Sequence, residues 1–319
     1  MKSAASNTRS KNLIFNPDEI AKGHLTGQGF KIEDFRMKLN ILCIGDIVGR
    51  PGKRILADNL AAIVKEQQID CVIVNAENAA GGSGLTRQIY EKLLKYGVNL
   101  ITLGDHVFKK KAIITVLENN NDIARPANLS AHAAGKSFAL YKTAKGPVVA
   151  AIPLIGRIFM KPADSPYDCI DALLPKLENQ ADIIFVDMHA EATSEKISMG
   201  YYLDGKISCV FGTHTHVVTA DEKILPKGTA YITDIGMTGA HHSVLGRKVE
   251  SVLKNFRTQM PCPFEIATGD VRLNGIIVTV DSNTKRADKI SRIEVKDEKT
   301  DSIGYDSDDG RPDYNNGFE

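Results

Sequence analysis

Leu39–Asp46 has the sequence LNILCIGD, a run of mainly large apolar side chains that ends in glycine and aspartate. A continuous apolar run of this length is typical of a strand that is buried on both faces. A helix is predicted to start near Pro51 or Gly52, because proline suits the first turn of a helix. Similar apolar runs then alternate with helical patterns along the chain. This alternation predicts a layered α/β fold with buried strands.

The remaining elements and the domain limits follow from the same pattern. Further strands are predicted at Cys71–Ala76, Val98–Gly104, Ser137–Tyr141, Val148–Leu154, Ile183–Met188, Ile207–Gly212, Thr229–Thr233 and Gly275–Asp281, and helices over about 86–96, 108–119 and 247–257. The strands near 137–141 and 148–154 are expected to pair antiparallel. Residues 37–296 show no repeat or break in composition, which predicts one domain. Residues 1–36 are predicted to be a flexible extension, and residues 297–319 an acidic, disordered tail.

Composition and charge limit the class of protein. The 40 basic and 39 acidic residues give a net charge of +1, so no strong nucleic-acid-binding patch or membrane-surface attraction is predicted. The five cysteines are widely spaced, and three of them lie inside apolar runs, which indicates buried thiols in a reducing compartment. No apolar run has the length of a membrane span, and no apolar segment follows the basic residues at the N-terminus. The cytoplasm is therefore the expected location.

Polar side chains that can bind a metal or move a proton follow five of the predicted strands. They are Asp46, Glu77 with Asn78, Asp105 with His106, His189, and the pair His214 and His216. The first three carboxylates are separated by 31 and 28 positions, close to the ~30 residues of one βαβ crossover. Parallel strands end at the same edge of a sheet, so these side chains are expected to converge there.

Each of these residues alone has an ordinary explanation. An aspartate after a strand is commonly a turn residue or a helix cap, and two histidines can lie on a solvated edge. His214 and His216 are expected on the same side of an extended segment. The joint occurrence predicts a metal centre. Mixed carboxylate and imidazole ligands favour Mn, Fe or Zn, and the number of ligands favours two ions that share a carboxylate.

Longer stretches surround these residues, namely IGDIVG (44–49), NAENA (75–79), DMHAEATSEK (187–196), GTHTHV (212–217) and YITDIGMTG (231–239). Over about residues 37–296 the sequence resembles the calcineurin-like metallophosphoesterase superfamily. It is most similar to the YmdB-like branch, which carries Glu rather than Asp at the bridging position. The resemblance implies an α-β-β-α sandwich of two sheets flanked by helices, with two iron or manganese ions. It also implies activity on phosphodiesters, including 2′,3′- and 3′,5′-cyclic nucleotides.

The resemblance also implies roles for individual residues. One metal would be held by Asp46, Glu77 and His216 with Asn78 adjacent, and the other by Glu77, Asp105, His189 and His214. His106 would act as proton donor or phosphate-binding imidazole. Where the superfamily has Gly-Asn-His, this chain has Gly104-Asp105-His106. An aspartate oxygen can still bind a metal, but it changes the charge of the site.

The assignments around the centre are less specific. Arg50 is either a phosphate contact or a surface residue, and Asn128 is either a loop contact with the substrate or a turn former. Arg157 is interpreted as a surface residue, and His241 and His242 as part of a solvated loop.

The sequence therefore predicts a dinuclear metal-dependent phosphodiesterase that uses water activated between two ions. A phosphomonoesterase or nucleotidase could use the same metals. A regulatory binding protein of RNA metabolism or signalling could also retain them. A purely structural metal is disfavoured, because structural sites are closed and tetrahedral. A homo-oligomer is compatible with the sequence.

Overall fold

The structure, a computed structural model, describes residues 37–297, which contain six helices and two sheets. The predicted tails, residues 1–36 and almost all of 297–319, lie outside the described residues. The helices are α1 Gly49–Glu66, α2 Arg87–Tyr96, α3 Ile113–Asn119, α4 Pro166–Leu177, α5 Thr193–Leu203 and α6 Val249–Thr258. The strands are β1 Lys38–Ile44, β2 Asp46–Ile47, β3 Cys71–Asn75, β4 Leu100–Thr102, β5 Ile123–Ala124, β6 Ala139–Lys142, β7 Val148–Ile155, β8 Ile183–His189, β9 Cys209–Thr213, β10 Lys223–Ile224, β11 Ala230–Ile232, β12 Met237–Ala240, β13 Val271–Asp281 and β14 Ala287–Lys296.

Each sheet contains four neighbouring parallel strands. The first sheet has the order β2-β12-β13-β1-β3-β4-β5, with β14 paired to β13, and β1, β3, β4 and β5 run parallel. The second sheet has the order β10-β11-β9-β8-β7-β6, in which β7, β8, β9 and β11 run parallel. β6 and β7 pair antiparallel, as the sequence predicted. The carboxyl ends of the parallel strands therefore lie together at one edge of each sheet.

Alternate side chains of β1 explain why that strand is apolar on both faces. Leu42 and Ile44 pack in one core cluster with Leu56 of α1. Ile41 and Cys43, which point the other way, pack in a second cluster with residues of the other sheet such as Phe185. The two sheets thus lie face to face, with helices outside the first one.

The outer face of the second sheet is covered by two helices that the sequence did not predict. Val186 of β8 and Val210 of β9 share a core cluster with Leu173 of α4 and with Met199 and Leu203 of α5. The molecule is therefore the predicted α-β-β-α sandwich, with a core in each of its three interfaces.

The predicted start of one helix is corrected, and one long strand was not predicted. The helix predicted over 108–119 begins only at Ile113, because residues 105–112 form turns at the end of β4. β14 was not predicted, since half of its side chains are exposed and half are charged. Charged residues are common on strands at the edge of a sheet, where they oppose pairing with other chains.

The burial of three cysteines agrees with the expectation from the sequence. Cys43, Cys71 and Cys209 are buried, and all five cysteines, which lie within the described residues, are free thiols. Between residues 37 and 297 no helix is long and apolar enough to cross a bilayer.

Candidate metal centre

The predicted ligands lie where strands of both sheets end. Asp46 is in β2, directly after β1; Glu77 and Asn78 follow β3; Asp105 follows β4; His189 ends β8; and His214 and His216 follow β9. β8 and β9 are parallel, and His189 at the end of β8 is paired with Thr213 at the end of β9. These two strands therefore end at the same level. The α/β topology therefore places these side chains at one rim of the sandwich.

The first group of ligands consists of Glu77, Asp105, His189 and His214. One potential ligand atom from each lies within 4.8 Å of all the others. His189 Nε2 is 3.2 Å from Glu77 Oε1 and 3.2 Å from Asp105 Oδ1. His214 Nδ1 is 3.1 Å from His189 Nε2 and 3.8 Å from Asp105 Oδ1. Two carboxylates and two imidazoles that face one point are a suitable donor set for a divalent transition metal.

A second group adjoins Glu77 through Asn78 and contains Asp46, Asn78 and His216. His216 Nε2 is 3.9 Å from Asp46 Oδ1, and Asn78 Nδ2 is 3.2 Å from both His216 Nε2 and Glu77 Oε1. Among the described residues, Asp46 Oδ1 is buried and has no hydrogen-bond partner. A buried carboxylate oxygen without a partner is unfavourable, and a bound cation would satisfy it. The lack of a partner for Asp46 Oδ1 is therefore the observation that fits a second metal position.

Asn78 is placed differently from a simple ligand. Its nitrogen faces Glu77 and His216, whereas its oxygen accepts a hydrogen bond from His106 Nδ1 at 2.7 Å. Metal ligation would use the oxygen, so the role of Asn78 as a ligand stays a prediction.

The segment with His214 and His216 is not extended, and the expectation that both side chains share one side is wrong. The two residues have φ values of 94° and 64°, in the left-handed region that non-glycine residues seldom adopt. The turn separates the two imidazoles. His214 Nδ1 faces Asp105, and His216 Nε2 faces Asp46. Each histidine therefore belongs to a different group of ligands.

Hydrogen bonds to the second ring nitrogen fix the tautomers of two histidines. His216 Nδ1 donates to the backbone oxygen of Leu245 at 3.2 Å, which leaves the Nε2 lone pair for a metal. Thr213 donates its hydroxyl proton to Asp187 Oδ1 at 2.6 Å, so Thr213 Oγ1 accepts from His189 Nδ1 at 2.8 Å. Such partners orient metal-binding imidazoles.

Asp187 is a residue of the centre to which the sequence analysis assigned no role. It is fully buried between the sheets and also accepts hydrogen bonds from Thr102 at 2.6 Å and Asn75 at 3.0 Å. An aspartate inside the apolar strand Ile183–His189 was the available signal, because buried carboxylates are rare unless they have partners. Thr213 and Leu245 carried no comparable signal.

The electrostatics of the centre favour cations. Burial opposes ionisation of Glu77, but attraction to His189 and a hydrogen bond from it outweigh this effect and lower the pKa of Glu77 to about 2. Burial lowers the pKa of His214 to about 3 and that of His216 to about 4. Burial also disfavours the charged form of His189, yet the negative charge of Glu77 and the hydrogen bonds that His189 donates to Asp105 and Glu77 raise the pKa of His189 well above its ordinary value. Neutral His214 and His216 beside anionic oxygens suit metal binding.

His106 lies beside the centre and remains accessible. Its side chain is 30% exposed, whereas Glu77 is 1% exposed. Its backbone N–H donates to Glu77 Oε2 at 3.1 Å, and its Nδ1 donates to Asn78. Nε2, which is 3.9 Å from Asp105 Oδ2, is therefore the ring nitrogen available to a substrate.

The other predicted contacts differ in position. Arg50 follows Gly49, whose backbone N–H donates to the backbone oxygen of Asn78 at 3.0 Å. Among the described residues, Nη1 of Arg50 is buried without a hydrogen-bond partner. Asn128 is buried, and its amide bonds the backbone of Ile155 and Asp164 at 2.8–2.9 Å. These bonds favour the turn-forming alternative for Asn128.

Three further residues were interpreted as lying on the surface or in a solvated loop. Arg157 is exposed. The solvated-loop interpretation describes His242, which is exposed, but not His241. His241 is half-buried, with Nε2 3.0 Å from Asn274 Nδ2, and burial lowers its pKa.

A sequence model described as YmdB-like protein matches residues 42–293, more than half of the chain. The chain belongs to the YmdB-like family. The matched segment contains every residue of both ligand groups.

Similar proteins cover the same part of the chain. The chain is 43% identical over 260 residues to the 2′,3′-cyclic-nucleotide 2′-phosphodiesterase of Bacillus subtilis (strain 168), with 82% of this chain and 98% of that protein covered. A crystal structure of a hypothetical protein from Thermus thermophilus has 41% identity and a TM-score of 0.76, covering 81% of this chain and 99% of that one. A crystal structure of a novel phosphatase from Mycoplasma pneumoniae has 36% identity and a TM-score of 0.77, covering 82% and 94%. Family and fold therefore agree with the resemblance seen in the sequence.

Proposed function

We propose that this chain is a dinuclear metal-dependent phosphodiesterase whose substrates are 2′,3′-cyclic nucleotides or related phosphodiesters. The observation that carries the proposal is the pair of ligand groups that share Glu77. His214, His189 and Asp105 cluster with this carboxylate, and Asp46 and His216 adjoin it through Asn78, whose Nδ2 is 3.2 Å from both Glu77 Oε1 and His216 Nε2. Glu77 can thus bridge two positions, for which iron and manganese are the favoured ions.

Bound in these positions, two divalent ions would supply Lewis-acid charge that activates water and stabilises the phosphoryl oxygens. The residues of this chain supply geometry and charge. The Asp46, Glu77 and Asp105 carboxylates offer anionic oxygen ligands, and Thr213 and Leu245 hold the rings of His189 and His216 in the tautomer that leaves Nε2 available. A ligand set held in this way needs little rearrangement when it binds metal.

His106 is proposed as the proton donor. Its Nδ1 is held by Asn78 Oδ1, which leaves Nε2 on the open side of the centre. The protonated imidazole would give its Nε2 proton to the departing alkoxide oxygen, the role of a general acid. Arg50 is the proposed additional contact to a phosphate oxygen.

The substrate class rests on the relatives. The Bacillus subtilis relative is named for hydrolysis of 2′,3′-cyclic nucleotides and is 43% identical to this chain. The similar Mycoplasma pneumoniae protein is described as a phosphatase, so a monoester substrate is the alternative for the same centre.

Turnover of matched esters tests the proposal. The purified protein, loaded with Mn²⁺, is assayed with 2′,3′-cyclic AMP, 3′,5′-cyclic AMP, bis-p-nitrophenyl phosphate and p-nitrophenyl phosphate. Hydrolysis of 2′,3′-cyclic AMP and of the chromogenic diester is expected, with loss on addition of EDTA and in Asp46→Asn. Asp288→Asn, which removes an exposed carboxylate of β14, is the matched control and should keep parental activity. Faster turnover of the monoester would support a phosphatase, and metal binding without any turnover would support the regulatory alternative.

A further inference from the structure

Lys196 and Asp234 form a buried ion pair next to the metal centre. The two side chains are 0% and 1% exposed, and Lys196 Nζ lies 2.6 Å from Asp234 Oδ2. The stem of Lys196 passes the backbone of β9 at Gly212, where a Cβ atom would come within 2.8 Å of Lys196 Cδ. Fully buried lysines are rare, and a buried ion pair contributes little net stability compared with apolar residues of the same size. Such a pair therefore calls for a role other than stability.

Asp234 connects this pair to the residue between the two histidines. Its Oδ2 accepts hydrogen bonds from Thr215 Oγ1 at 2.8 Å and from Thr215 N at 3.3 Å, and its Oδ1 accepts from Gly236 N at 2.7 Å. Met237 N then donates to His216 O at 3.2 Å. The segment from Asp234 to Met237 thus holds the histidine turn at Thr215 and at His216.

The turn needs such support because its backbone is unfavourable. His214 and His216, on either side of Thr215, both have positive φ. Non-glycine residues persist in this region only where the surrounding structure determines their conformation. A relaxed turn would no longer direct His214 Nδ1 toward Asp105 and His216 Nε2 toward Asp46.

Lys196 also belongs to the segment that follows His189. It lies in the first half of α5, which starts four residues after the end of β8. The ion pair therefore joins the segment after one histidine ligand to the turn that carries the other two. The positive charge of Lys196 balances the Asp234 carboxylate, which would otherwise be an unpaired buried charge that interacts with the Asp46 carboxyl.

We infer that the Lys196–Asp234 pair is a positioning device that holds the His214–His216 turn, so that its two imidazoles serve two different metal positions. The inference rests on the proposed function, because it assumes that His214 and His216 bind metal. Lys196, Asp234 and Thr215 touch no ligand position themselves and act through the two histidines.

Binding of Co²⁺ by the metal-free protein tests this role, since the visible absorption of Co²⁺ reports its ligand geometry. Lys196→Met removes the ammonium group, and the double variant Lys196→Met/Asp234→Asn removes both charges while it keeps the side-chain volume. Thr215→Val removes the hydroxyl that bonds Asp234, and Thr215→Ser restores it. Leu173→Ala, a core change in α4, is the control for lost stability without lost positioning.

The expected result is that Lys196→Met, the double variant and Thr215→Val weaken Co²⁺ binding about 10- to 100-fold and alter the spectrum. Thr215→Ser should stay close to the parent, and Leu173→Ala should lower the melting temperature without a change in Co²⁺ affinity. If Lys196→Met does not fold, the comparison of Thr215→Val with Thr215→Ser decides the question. Parental affinity and spectrum in both Lys196→Met and Thr215→Val would overturn this inference alone. A parent that binds no Co²⁺ would overturn the proposed function together with it.

Discussion

Thr213 accepts a hydrogen bond from His189, with 2.8 Å between Oγ1 and Nδ1, and this bond determines which imidazole nitrogen faces the carboxylates of the centre. The hydroxyl proton of Thr213 is directed to Asp187. Nδ1 of His189 must therefore carry a proton, and Nε2 is directed at Glu77 and Asp105. The buried Asp187 carboxylate thereby controls the orientation of His189, a proposed metal ligand.

The first prediction concerns this bond. Thr213→Val keeps the shape of the side chain but offers His189 no acceptor, so the ring can rotate or change tautomer. Mn²⁺ affinity is expected to fall about 10- to 100-fold, measured by calorimetric titration of the metal-free protein. Thr213→Ser, which retains the hydroxyl, should bind nearly as well as the parent. Equal losses in the two variants would show that packing, rather than the hydrogen bond, is responsible.

The second prediction concerns His106. Because it lies beside the ligands and is partly exposed, His106→Ala should keep the metal content and lose rate. General acids typically contribute about 10²- to 10⁴-fold. The loss should be greatest for diesters with poor leaving groups, which need protonation as they depart. Rates for a series of aryl and alkyl diesters measure this difference. A loss of the same size across the series would leave His106 with a binding role only.

The third prediction concerns Asp105, where the superfamily has asparagine. Its carboxylate reduces the net charge of a loaded centre by one unit. The interaction of one unit charge with another at contact distance is worth ~4 kcal/mol at an effective dielectric of ~20, as an upper guide. Asp105→Asn should therefore lower the pH optimum and raise turnover of a dianionic monoester relative to a monoanionic diester. The pH profiles of parent and variant on both esters provide the measurement. Unchanged profiles and an unchanged ester ratio would make Asp105 simply a substitute ligand.

The fourth prediction concerns the pH dependence of stability in the metal-free protein. Burial lowers the pKa of His216 from 6.5 to about 4, so between these values the unfolded chain binds a proton that the folded chain does not. The free energy of unfolding therefore falls as the pH falls through this window, by about 1.4 kcal/mol per pH unit for one such group.

Urea unfolding in EDTA between pH 4.5 and 6.5 measures this slope. His214, with a pKa of about 3, contributes in the same direction, and the raised pKa of His189 acts above pH 6.5. Burial raises the pKa values of the Asp46 and Asp187 carboxyls, which act in the opposite direction, so the test compares the slope of the parent with that of a variant. His216→Gln should thus reduce the slope by about 1.4 kcal/mol per pH unit, the contribution of one proton. His242→Gln, which changes an exposed residue, should leave the slope unchanged. An undiminished slope in His216→Gln would contradict the burial of a neutral His216.

The strand ends were predictable because buried parallel strands have a distinctive sequence. Each apolar run had to be a strand covered on both faces, and the spacing of Asp46, Glu77 and Asp105 corresponds to one crossover each. These two facts were enough to place three carboxylates at one edge of a sheet. The structure confirms the layered fold and the convergence of Glu77, Asp105, His189 and His214.

The conformation of the histidine turn was not predictable. Local sequence favours negative φ at His214 and His216, and the observed positive φ is supported by contacts from distant segments, through Asp234 and Lys196. Helix α5 was missed for a related reason, since its buried residues include Lys196 and Gly200, which interrupt the apolar periodicity. Such features depend on tertiary partners that a local pattern does not contain.

Anomalous diffraction from Mn²⁺-loaded crystals tests most directly whether two metal positions share Glu77. The parent is expected to show two peaks about 3.5–4 Å apart, one beside His189 and His214 and the other beside Asp46 and His216. In His216→Ala the second peak should be lost or strongly weakened while the first remains. A single peak in the parent, or two full peaks in His216→Ala, would contradict the two-metal assignment.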